Sequence, residues 1–153
     1  MRASLLLALA CCCALPAQAA DAGADRVAVP LDAATLAALP HEAVSADAHG
    51  HHYVCEGVPL VALLRQAGAM PEGELRGAAQ LARFVEAGAR DGYRVAFSLG
   101  ELDPATGARR VYVVDRCDGK PLGDDGPLRL IVPDDARPAR WVRQLDSITV
   151  STP

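Results

Sequence analysis

The alternation of apolar and polar positions changes character along this chain and sets out its elements. Residues 26–30 form a short apolar stretch closed by Pro30, which predicts a first strand. Asp32 stands where it can cap a helix over residues 33–39, and Pro40 stops it. Residues 42–47 alternate as a strand does, His49-Gly50 reads as a turn, and residues 53–55 resume an extended run that Gly57 ends. Pro59 suits the first turn of a second helix. In that helix Leu60, Leu63, Leu64 and Ala67 recur at helical spacing, and Gly68 is the stop.

Residues 70–80 are rich in Gly and Ala and show no period. Beyond them the pattern is β. Residues 81–87 predict a strand, and Asp91-Gly92 is a hairpin signal before an alternating run over residues 93–98. Further apolar runs cover residues 111–114, 128–132, 141–143 and 145–150, with a turn at residues 118–121 between the first two. Short strands punctuated by turns imply a sheet, barrel or sandwich. Two short helices near the N-terminus make the class α+β, a β-rich mixed sheet or barrel-like domain.

The first residues have a different logic. Arg2 precedes an apolar run over residues 5–15, and Pro16 and the triplet Ala17-Gln18-Ala19 follow. A positive start, a short apolar middle and an A-x-A end are the parts of a secretory signal. The run is too short to cross a bilayer, which takes about 20 residues. Cleavage after Ala19 is expected; the competing reading is a lipid anchor on Cys11. Residues 1–19 are thus a signal, residues 20–25 a flexible leader, and residues 26–153 one domain. Export puts that domain in the periplasm of a Gram-negative cell, or outside the cell otherwise.

Charge and cysteine usage then narrow the function. The formal charge of −4 becomes −5 once Arg2 is removed with the signal. An acidic chain argues against general binding to nucleic acid or anionic membranes. Three of the five cysteines lie in the signal, leaving Cys55 and Cys117. In an oxidising compartment they either pair or stay apart, Cys55 as a buried thiol and Cys117 as an exposed one in its turn. His49, His51, His52 and Cys55 form H-G-H-H-x-x-C, a set of possible zinc or copper ligands. On a strand, however, His51 and His52 face opposite ways, and standard zinc spacing is absent, so a solvated turn explains them better. Arg129, Arg137, Arg140 and Arg143 are the one basic concentration, where an anion would bind. Against this stands a solvated edge balanced by Asp134, Asp135 and Asp146.

Three blocks in fixed order carry a resemblance. They are Glu56-Gly57-Val58-Pro59-Leu60 leading into Leu63-Leu64, then Ala89-Arg90-Asp91-Gly92-Tyr93, then residues 118–150, with Gly126-Pro127-Leu128-Arg129-Leu130-Ile131-Val132-Pro133, Arg140-Trp141-Val142 and Ile148-Thr149-Val150. The chain resembles the oxidoreductase molybdopterin-binding domain of the sulfite oxidase family over residues 42–150. The resemblance implies that fold. It also implies molybdenum on a pterin dithiolene completed by a cysteine thiolate, with Arg129, Arg137 and Arg140 toward the pterin phosphate and electrons passed to a partner protein. Cys55 is the candidate metal ligand, displaced from the family's position.

The sequence departs from that pattern where the metal would sit. The family's Gly-Asn-Arg signature is missing, and residues 44–50 hold no cysteine. The family's His-Gly is Asp125-Gly126 here, and its glycine-rich loop is Asp134-Asp135-Ala136-Arg137-Pro138. The signal also lacks a twin arginine, so the chain is expected to cross unfolded and without a cofactor. Two main readings follow: a molybdopterin-dependent oxidoreductase, and a binding or accessory module that kept the fold, lost the metal and recognises a small anion or a protein. Metal handling by the histidine turn is the third.

Overall fold

The structure, a computed structural model, describes residues 26–153. The secretory signal, the leader, the Cys11 anchor and the cleavage after Ala19 lie outside the described residues.

The elements run β1 (Val27–Ala28), α1 (Ala33–Ala37), β2 (Glu42–Ala48), β3 (His51–Pro59), α2 (Leu60–Gln66), α3 (Ala78–Leu81), β4 (Phe84–Ala89), β5 (Arg94–Ser98), α4 (Leu99–Leu102), β6 (Tyr112–Cys117), β7 (Lys120–Pro121), β8 (Arg129–Ile131) and β9 (Leu145–Ser151). Short 3-10 turns cover Gly123–Asp125 and Pro138–Arg140. The protein is α+β and strand-rich. One sheet has the order β1-β9-β4-β5; the other has β2-β3-β6, with β7 and β8 sharing the far side of β6.

Every strand pairing among the described residues is antiparallel, so the expected mixed or barrel-like sheet is replaced by two open antiparallel ones. For three pairings the cause is local: tight turns join β2 to β3, β4 to β5 and β6 to β7, whereas a parallel neighbour would need a long crossover. Both the β2–β3 and β6–β7 turns have two residues at positive φ, His49 (53°) with Gly50 (76°) and Asp118 (53°) with Gly119 (71°). That pair of left-handed residues matches the twist of the flanking strands.

The two sheets and α2 share one core. It joins Val85, Ala87, Phe97 and Ile148 of the first sheet to Val44, Val58, Val113 and Leu130 of the second. Leu60, Leu63 and Leu64 of α2 are fully buried in it, as their spacing predicts. Burying each contributes about 1.5–3 kcal/mol. Asp32 caps α1 by accepting from the N–H groups of Ala34 (3.1 Å) and Thr35 (3.0 Å).

Several details differ from the pattern, among them residues 141–143, where no strand forms and Val142 makes only an isolated bridge to Leu130. β3 does not end at Gly57 but passes through a bulge there and runs on to Pro59, whose ring ends the strand as the residue before α2. Leu81 belongs to α3, and β4 begins at Phe84. The helix α4, unmarked by hydrophobic period because it has one turn, is opened by a capping box: Ser98 Oγ accepts from the Glu101 N–H, and Glu101 accepts from the Ser98 N–H.

Candidate functional site

Arg129 opens β8 beside Leu130, so when Leu130 enters the core the arginine takes the other face. There it lines a polar cleft of about 500 Å³. The walls come from both sheets: His49 of the β2–β3 turn, Tyr53 of β3, Asp91 and Tyr93 of the β4–β5 turn, and Trp141 and Arg143 before β9. Tyr93 also donates its hydroxyl to the Ala139 carbonyl, which ties the β4–β5 turn to the Pro138–Arg140 turn.

The Arg129 side chain is only 12% exposed. Its guanidinium carbon lies 5.0 Å from the centre of the Trp141 ring and 5.8 Å from that of Tyr53. Such cation–π contacts contribute about 0.5–2 kcal/mol each. Nη1 donates to Asp125 at 3.1 Å, and Asp125 also lies 3.7 Å from Arg143. Arg129 Nε is buried and has no hydrogen-bond partner. Trp141 is held in place by its indole N–H, which donates to the Val132 carbonyl at 3.1 Å.

The structure disperses the remaining arginines. Arg140 grips Asp135 with Nε (2.8 Å) and Nη2 (2.7 Å), reaches Glu101 at 3.4 Å, and covers the Phe97 ring at 4.7 Å. Its hydrogen bonds to Asp135 raise its pKa above the usual arginine value, against the pull of burial. An anion would have to displace Asp135 to reach it. Arg137 is exposed. Next door Arg110 binds Asp134 through two nitrogens, and this pairing holds the Asp134 carboxyl below its ordinary range. Asp134 and Asp135 therefore neutralise Arg110 and Arg140 internally.

Cys55 and Cys117 face each other across β3 and β6 and are joined by a disulfide. Cys55 is fully buried; Cys117, expected exposed in a turn, is the half-buried last residue of β6. A molybdenum centre of the resembling kind takes a thiolate, and in this oxidised form Cys55 has none to give. The residues present do not fit that ligand set.

The histidine motif does not converge either. His51 meets Asp118 at 3.2 Å and packs edge-on against Tyr53, His52 meets Asp47 at 2.8 Å, and His49 turns to the Arg129 cleft. Among the described residues no three His, Cys, Asp or Glu side chains are grouped to hold a metal ion. No helix among them is long and apolar enough to cross a membrane.

A second cleft, of about 600 Å³ and mostly apolar, lies between α2 and the loop before β6, with Val61, Leu102 and Val111 in its lining. On its wall Tyr112 donates to Glu42 at 3.2 Å. Burial first, and then the Glu42 carboxylate, push the Tyr112 phenol up from its ordinary value. Hydrophobic pattern gave no sign of this cleft, because its lining comes from separate elements.

Neither a protein-family model nor a curated protein matches the sequence.

Proposed function

We propose that this chain is an exported binding or accessory module on the sulfite oxidase type of molybdopterin-binding fold, and that it holds a small anion at Arg129 in place of a molybdenum centre. The three sequence blocks support the fold. The observation that carries the chemistry is the state of Cys55: buried and bonded to Cys117. A disulfide also suits an oxidising compartment, the periplasm or the exterior. Arg129 supports the anion, since Asp125 takes one nitrogen and leaves Nε without a partner.

The oxidoreductase reading survives in one form. Tyr53, two positions before Cys55 on the same face of β3, lines the Arg129 cleft, so reduction of the disulfide would free a sulfur near it. The test covers both readings. Protein purified from its own compartment, with and without a thiol reductant, is assayed for molybdenum, zinc and copper, and then titrated with sulfate. We expect no stoichiometric metal in either state, and sulfate binding that Arg129→Gln weakens about tenfold or more. Stoichiometric molybdenum would overturn the proposal, as would wild-type protein indifferent to sulfate.

A further inference from the structure

The charges around the Arg129 cleft are balanced. Arg129, Arg143, Asp91 and Asp125 share one lining. A simple anion would gain from the arginines and be opposed by Asp91; a simple cation would meet the reverse. The two carboxylates are not equivalent. Asp125 spends its oxygens on the arginines, at 3.1 Å and 3.7 Å. Asp91 uses Oδ1 to accept from the Tyr93 N–H at 2.9 Å, and its Oδ2 has no hydrogen-bond partner among the described residues. The cleft therefore offers cationic donors on β8 and at Arg143, and a free acceptor on the β4–β5 turn. The rings of Tyr53, Tyr93 and Trp141 line the same cleft.

From this arrangement we infer that the ligand is a small zwitterion, with a carboxylate for Arg129 and Arg143, an ammonium for Asp91 and a planar or apolar body for the rings. The inference rests on the anion-binding reading above and adds the second charge. Charge-assisted hydrogen bonds at both ends, the carboxylate end against the largely shielded Arg129, give such a molecule an advantage over either half alone.

Trp141 is the only tryptophan in the chain, so its fluorescence reports on this cleft directly. Three probes share a phenyl body: phenylalanine with both charges, 3-phenylpropionate with the carboxylate and phenethylamine with the ammonium. We expect phenylalanine to bind about tenfold or more tighter than either. Asp91→Asn keeps an acceptor for the Tyr93 N–H on an exposed turn, so the fold should stand. It should cut phenylalanine binding to about the level of 3-phenylpropionate, and 3-phenylpropionate itself should bind no more weakly than to wild type, since the charge removed opposes an anion. Equal binding of phenylalanine and 3-phenylpropionate would overturn the zwitterion and leave the anion reading standing. Sulfate binding with no response to phenylalanine would do the same. Loss of response to sulfate and to all three probes would sink both.

Discussion

Asp118 occupies the left-handed region at φ 53°, in the turn between β6 and β7, and there does more than turn the chain. One carboxylate oxygen accepts from the Val54 N–H at 2.9 Å and the other meets His51 at 3.2 Å. The Val54 bond, followed by the one with His51, holds its pKa below the ordinary carboxylate value. A carboxyl whose folded pKa is depressed stabilises the fold above its unfolded pKa, and that contribution is lost as pH falls through the folded value. Asp118→Ala should therefore be less stable than wild type at pH 7 in urea unfolding, and the gap should narrow in acid. Asp118→Asn keeps an acceptor and tolerates the left-handed backbone, so it should fall between the two, with less dependence on pH. A gap that stays constant down to strong acid would mean that the carboxylate charge is not what matters.

At the scale of elements, the bulge in β3 brings its backbone hard against β6. Register shifts between Glu56 and Gly57, and the chain passes so close to β6 that a Cβ on residue 57 would lie 2.1 Å from the Val113 carbonyl oxygen. Backbone atoms cannot swing aside as a flexible side chain can. Gly57→Ala should cost at least about 2 kcal/mol, seen as a lower thermal midpoint, by forcing β3 and β6 apart. A midpoint equal to wild type would show that the strands separate freely there. The sequence marks Gly57 as special but not why: a glycine that ends a strand and one that lets a strand bulge past its neighbour look alike until the neighbour is present. The same holds for α4, whose Ser98 and Glu101 cap was written in the chain but hidden by its single turn.

Across the molecule, the Cys55–Cys117 bond links positions 62 residues apart. Closing a loop of that length limits the unfolded chain and stabilises the fold by about 4 kcal/mol in the chain-entropy model. Replacing both cysteines by alanine should remove about 3–4 kcal/mol in denaturant unfolding, and reduced wild type should approach the double variant. A loss under about 1 kcal/mol would show that pairing of β3 with β6 alone already supplies that restraint.

What the sequence by itself determined is the local grammar. Asp32 capping α1, the Leu60-Leu63-Leu64 face of α2, the turns at residues 49–50, 91–92 and 118–119, and the face taken by Arg129 all follow from neighbours within a few positions, whose physics is short-ranged. Tertiary structure alone decided who meets whom. Sequence separation carries no distance, so the pairing of Cys55 with Cys117 stayed open until β3 lay beside β6. Four arginines close in sequence looked like one basic corner. Side chains on a strand and on the turns after it diverge, and folding gave Arg140 to Asp135 while leaving Arg129 between Tyr53 and Trp141.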